Sequence, residues 1–178
     1  WMLVNDSLTV DKVNLNTITT NTDNSITFYI NEKVNTLTNV DPSLTLIDYL
    51  RYTKQYTAQK IGCNEGGCGA CTVYATYINP NDGKEVCGSI NSCLKLVAQL
   101  DGYHITTSEG IGNIIDGLHP VQKELAATSG TQCGYCSPGM VMAMYSLLQE
   151  SNGQPNSIQI ENVLDGNIGA CNRVRTPP

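Results

Sequence analysis

A chain of 178 residues, 40% hydrophobic and 15% charged, has enough apolar side chains for one large or two small cores that bury about 70% of the unfolded surface. Its net charge of −6, with no basic cluster, excludes a nucleic-acid footprint, and no apolar run reaches the ~18 residues of a membrane span. Eight cysteines without a secretory signal point to a reducing, cytoplasmic setting and to metal ligation rather than disulfides.

Residues 1–24 are polar, rich in Asn and Thr and without period, and read as an extension or surface arm. Trp1 ahead of Met2 fits a trimmed or partial sequence, and the sequon Asn5-Asp6-Ser7 carries little weight in a cytosolic protein. Ser25 to Ile30 reads as a strand, Asn31-Glu32 as a turn and Lys33 to Leu37 as a second strand, which together predict a hairpin. Asp41-Pro42-Ser43 announces a helix whose apolar positions Leu44, Leu46, Ile47 and Leu50 recur at helical spacing through Arg51.

That helix leads into Gly62-Cys63-Asn64-Glu65-Gly66-Gly67-Cys68-Gly69-Ala70-Cys71, a C-x4-C-x2-C run threaded with glycines. With a distant fourth cysteine this is the plant-type ferredoxin spacing for a [2Fe-2S] cluster. A loop wrapped around such a cluster brings backbone close to inorganic sulfide and aims N–H groups at it, which glycine permits. A zinc knuckle more often has two well-separated pairs, and disulfides among three cysteines in so short a run would be crowded.

After Cys71 the stretch Thr72 to Ile78 alternates like a strand, Asn79 to Gly83 is a turn by composition, and a short strand lies near Glu85 to Cys87. An apolar segment from Cys93 to Leu100 and a strand from Tyr103 to Thr107 follow. Strands, one early helix and a metal loop between helix and strand predict a β-grasp domain over residues 25–112, in which Cys93 would close the first site. From His119 the texture turns helical: one helix around Val121, Leu125 and Ala126, and a second opened by Ser137-Pro138 and apolar on nearly all sides from Met140 to Leu148. Ser157 to Leu164 predicts a short third helix. The fold class is therefore α+β, the β-grasp domain being followed by a small all-helical domain over 113–178, with Cys133-Gly134-Tyr135-Cys136 on a connection between helices. The apolar helix is explained by burial in a bundle or against a partner.

Gly110-x-Gly112 lacks the third glycine of a dinucleotide fingerprint, and no phosphate-loop lysine motif occurs. His104 and His119 stand alone and read as structural. No nucleophile and base are spaced for covalent catalysis.

With both halves read, the motifs Leu46-Ile47-Asp48-Tyr49-Leu50-Arg51, Gly62 to Val73, Glu109-Gly110-Ile111-Gly112, Leu118-His119-Pro120-Val121-Gln122 and Thr131 to Met140 resemble the iron–sulfur portion of the molybdenum hydroxylases, the xanthine dehydrogenase and aldehyde oxidase enzymes. The resemblance spans about residues 25–178. It implies two [2Fe-2S] clusters that carry electrons from a molybdopterin centre to FAD on partner domains or subunits, within a dimeric assembly. It also implies that Cys63, Cys68, Cys71 and Cys93 hold the first cluster and that Cys133, Cys136 and Cys171 belong to the second. By the same resemblance Gln132 and Cys171 would touch the pterin, and substrate chemistry would occur outside this chain.

One departure stands out. The family closes this region with Cys-x-Cys, whereas this chain reads Gly166-Asn167-Ile168-Gly169-Ala170-Cys171-Asn172, so Gly169 takes the place of a ligand. An oxygen ligand such as Asp165 or Asn172, loss of the second cluster, and an error in this part of the sequence are the three explanations. Cys87, near the first site in sequence, reads as a small buried hydrophobe rather than a substitute. A free-standing ferredoxin with a helical docking module and a zinc-stabilised interaction module are the competing functional readings.

Overall fold

The computed structural model describes residues 24–169. The predicted polar arm with Trp1 and its sequon, as well as Cys171 and Asn172, lie outside the described residues. Strands β1 (Ser25–Ile30) and β2 (Lys33–Thr38) form the expected antiparallel hairpin. Its two-residue turn has both Asn31 and Glu32 at positive φ, 48° and 65°, the twist a tight hairpin demands.

Helix α1 opens as an α-turn, Leu46–Asp48, and continues as a π-helical turn, Tyr49–Thr53. It begins later than the sequence suggests. The Asp41 carboxylate accepts from the Ser43 N–H and hydroxyl at 2.8 and 2.7 Å, which closes a separate turn, and Thr45 is the residue that caps the helix. Strand β3 (Thr72–Ile78) follows the cysteine loop, then β4 (Glu85–Asn91), a 3-10 turn (Val97–Gln99) and β5 (His104–Thr106). The sheet order is β2-β1-β5-β3-β4. Among the described strands β1 and β5 alone run parallel; the other neighbours are antiparallel. This is the predicted β-grasp layout within an α+β fold. Strand β4 is longer than expected because it pairs along the whole of β3, from Thr72 opposite Asn91 to Ile78 opposite Glu85; in the sequence Gly88 and Ser89 interrupt its apolar residues.

On one face of the sheet, α1 presses Leu46, Tyr49 and Leu50 onto Phe28, Ile30, Val73, Ala75, Val97, Leu100 and Ile105, each large apolar side chain contributing about 1.5–3 kcal/mol by burial. The other face is also covered. Helix α3 (Ser137–Glu150) lies on β3 and β4, where Tyr74 meets Tyr145 edge-on with ring centroids 5.3 Å apart. Thr72 through Thr76 are therefore buried whichever way their side chains point. The all-round apolar character of α3 has its cause here: the sheet takes one side and the short helices α2 (Pro120–Ala127) and α4 (Ser157–Asn162) touch others. Cys136 occupies the N-cap of α3, one residue earlier than the sequence suggests, and Ser137 is its first helical residue. No helix among the described residues is long and apolar enough to cross a membrane.

Two local features carry predictions. Gln59 is fully buried with neither amide atom hydrogen-bonded, while its backbone carbonyl accepts from Arg51 Nη1 at 2.6 Å. Gln59→Met keeps the volume and removes both orphaned groups, so the unfolding free energy should rise by about 1–3 kcal/mol; a lower urea midpoint would contradict this. His119 is the N-cap of α2: its Nδ1 accepts from the Val121 N–H at 3.3 Å, and Gln122 Oε1 accepts from the His119 N–H at 3.0 Å. Burial holds the His119 imidazole, like that of His104, below its usual pKa. A depressed histidine stabilises the fold fully above its unfolded value of about 6.5 and loses that contribution as pH falls below it. His119→Asn retains a capping acceptor, so the drop in urea midpoint between pH 7.5 and 5.5 should shrink, His104 supplying the remainder.

Candidate metal centres

The loop of residues 62–71 joins α1 to β3, and Cys93 returns to it just after β4. Cys63 Sγ accepts from the Gly67 N–H at 3.3 Å and lies 3.5 Å from the Glu65 nitrogen. The Glu65 N–H is the main influence that draws the Cys63 thiol down to about 7; burial opposes it, and the Cys68 side chain and backbone and the Gly67 N–H reinforce it. Cys93 is pushed up to about 11, first by burial and then by the Cys71 thiol at its side, with a further contribution from Cys63. The four thiols therefore lie together as two pairs, Cys63 with Cys68 and Cys71 with Cys93. The second pair is buried against Ile47 and Ile61, while Cys63 and Cys68 are partly exposed.

The surroundings suit bound thiolates. A Cβ on Gly62 would stand 2.6 Å from Cys68 Sγ, so the chain can run this close to the sulfur only without a side chain. Asn91, which no sequence signal singles out beyond its place near Cys93, pins the loop: its Nδ2 donates to Gly66 O at 2.9 Å, and its Oδ1 lies 3.9 Å from Cys71 Sγ and 3.5 Å from Thr72 Oγ1. No disulfide joins the described cysteines. Among the described residues no three His, Cys, Asp or Glu side chains gather as a single-ion site. Two thiol pairs with N–H groups aimed at sulfur fit a two-iron cluster better than one tetrahedral ion.

Cys133 is exposed and Cys136 half-buried on the connection from α2 to α3, which a 2.6 Å hydrogen bond between the Thr131 and Ser137 hydroxyls closes. The exposed Gln132 sits beside them. The chain comes back to this place after α4: a Cβ on Gly169 would lie 3.4 Å from Cys136 Sγ and 2.9 Å from the Met140 methyl. A side chain at 169 would thus point into the Cys136 site, and Met140 occupies part of that space. Asp165 lies on the turn after α4, its N–H donating to Asn162 O at 3.0 Å. Cys87 belongs elsewhere, and it is exposed rather than the buried hydrophobe expected, because it sits on the edge strand β4. It lies opposite Thr76 on β4 and within reach of the Tyr74 hydroxyl, whose pKa burial and then Cys87 push upward. Its neighbour Gly88 faces Glu150 at the far end of α3, a helix roughly 20 Å long whose other end carries Cys136.

Residues 28–97 match the family model described as a 2Fe-2S iron-sulfur cluster binding domain, and residues 107–176 match the [2Fe-2S] binding domain. The chain is 42% identical over 148 residues to a xanthine dehydrogenase of Blastobotrys adeninivorans, covering 83% of this chain and 10% of that protein. It is 45% identical over 148 residues to aldehyde oxidase 2 of Rattus norvegicus, covering 83% of this chain and 11% of that protein. The chain thus spans about a tenth of the length of these curated relatives. A chain of quinoline 2-oxidoreductase from Pseudomonas putida 86 superposes with a TM-score of 0.69 at 32% identity, over 85% of this chain and 87% of that one. The aldehyde oxidoreductase of Desulfovibrio gigas gives a TM-score of 0.67 at 33% identity, over 81% of this chain and 15% of that one.

Proposed function

This chain belongs to the xanthine dehydrogenase and aldehyde oxidase family, as the part matched by two [2Fe-2S] domains, and from that premise we propose that it is the electron-relaying portion of a molybdenum hydroxylase. The observation that carries this reading is the gathering of Cys63, Cys68, Cys71 and Cys93 into two thiol pairs with backbone N–H groups aimed at sulfur. When bound, the clusters supply one-electron transfer between a molybdopterin centre and FAD, both outside this chain.

The residues of the chain do the remaining work. The four cysteines hold the first cluster in a β-grasp domain, residues 25–112. The Glu65 and Gly67 N–H groups favour the thiolate form of Cys63 and tune the site, and Ile47 and Ile61 shield the inner pair from water. In a helical domain, residues 113–178, Cys133, Cys136 and Cys171 would hold the second cluster, and Gln132 and Cys171 would face the pterin. With glycine at 169, Asp165 or Asn172 is the oxygen donor nearest in sequence to complete the set. The assembly is proposed to be dimeric and cytoplasmic, with the molybdenum and flavin domains as its partners. The helical half matches a cluster-binding domain, which disfavours a free-standing ferredoxin whose helices serve only for docking.

The test is the metal content of the protein isolated anaerobically from its own source. About four irons and four acid-labile sulfides per chain, with the visible absorption of [2Fe-2S] centres, are expected. A colourless, iron-free preparation would sink the reading, and about two irons would mean an empty second site.

A further inference from the structure

The two cysteine sites are distant in sequence, yet the backbone of one is the seat of the other. The Ile168 N–H donates to Cys68 O at 2.8 Å. One residue earlier, Asn167 Nδ2 donates to Gly69 O at 3.0 Å, and Asn167 is only 5% exposed. Gly69 O also accepts from the Thr72 hydroxyl at 2.7 Å and from the Thr72 N–H at 3.2 Å, so the carbonyl that Asn167 grips is itself held by β3. Gly69 has φ +68°, and a Cβ there would stand 2.5 Å from both Asn167 Nδ2 and Gly166 O. Gly139, in the first turn of α3, has no room for a side chain against the Gly69 carbonyl either. Tyr135, between Cys133 and Cys136, adds a third tie by donating its hydroxyl to Ile61 O at 2.6 Å. Every one of these contacts lands on residues 61–70, the stretch whose shape depends on Cys63 and Cys68.

We infer that Asn167 is a positioning residue that makes the second site depend on the first: it fixes the segment 166–169 beside Cys136 by gripping the Cys68–Gly69 backbone. When iron shapes the loop of residues 62–71, Cys68 O and Gly69 O take the places that Ile168 and Asn167 require. When the loop is empty and slack, the segment loses its seat. Coupling through these bonds is reciprocal, but the first site, with four thiols against the three proposed for the second, fills without that help, so occupation proceeds in order, the first site before the second. The inference rests on the two-site reading above.

Hydrogen exchange and electron paramagnetic resonance on the full protein that carries this chain test it. Asn167→Asp keeps the shape but replaces the donating amide with a carboxylate, and Asn167→Ala removes it. In the iron-loaded protein both variants should speed exchange of the Ile168 amide at least tenfold and reduce the second cluster signal at least fivefold. The first cluster signal and the exchange of β3 amides should stay at wild-type values, which rules out general unfolding. Cys71→Ala should diminish both signals, whereas Cys136→Ala should diminish only the second. Wild-type Ile168 exchange in Asn167→Asp, or a full second signal in Cys71→Ala, would overturn the inference. An iron-free wild-type protein would instead overturn the two-site reading. If the wild type carries only the first cluster, Ile168 exchange still decides, because its bond to Cys68 O requires no second cluster.

Discussion

On the proposed reading, Cys68→Ala in the full enzyme is expected to strip about two irons per chain from the first site, to weaken the second site seated on it and to stop electrons from reaching the flavin, while substrate still reduces molybdenum at the wild-type rate. The Cys68 thiol is partly exposed, so its loss is a small packing change. It is the partner of Cys63 in the outer pair, and without it the proposed ligand set is one thiolate short. Metal-binding energy in such a loop is also the energy that orders the loop, so the deficit falls on the cluster, on residues 62–71 and on the segment 166–169 seated against them rather than on the sheet core beneath α1. Rapid-mixing spectra at flavin wavelengths, with iron counted on the same sample, provide the measurement. Flavin reduction at the normal rate in a protein that lacks the two irons would mean that electrons bypass this chain.

Gly169→Cys is expected to act in the opposite direction, tightening the second site. A thiol built on position 169 starts 3.4 Å from Cys136 Sγ, and the obstacle is the Met140 methyl at 2.9 Å, the far end of a flexible side chain that can turn aside. A missing ligand in a four-ligand site costs on the order of several kcal/mol, so restoring it should slow chelator-driven loss of second-site iron by at least about tenfold, since 1.4 kcal/mol already gives that factor. First-site iron, for which Cys63, Cys68, Cys71 and Cys93 are the proposed ligands, should leave at its former rate. Equal loss rates for the second site in both proteins would mean that another ligand already completes it.

The first site was legible in the chain because its ligand spacing is local. Cys63, Cys68 and Cys71 share one short loop, and the hairpin, the strand after the loop and the helix before it all followed from turn chemistry and periodicity. The details that failed were competitions between neighbouring signals. Asp41 and Thr45 both have side chains able to cap a helix; Asp41 closes its own turn with Ser43 instead. Strand β4 looks short in the sequence because Gly88 and Ser89 interrupt its apolar residues, yet pairing with β3 carries it to Asn91. Asn91 and Asn167 escaped notice since nothing in a single sequence distinguishes a pinning asparagine from any other.

The amino-acid sequence by itself determined the kind of chemistry: thiol spacing, glycine in the loops and the order of strands and helices specify an iron–sulfur protein with a β-grasp half and a helical half. Only the tertiary structure decided that α3 leans on the sheet, that Cys87 lies at the far end of α3 from Cys136, and that position 169 lies beside Cys136. Spacing along a chain is a local property, whereas those facts depend on which face of β3 remained apolar after α1 had covered the other, and on a carbonyl of Gly69 placed where Asn167 could reach it.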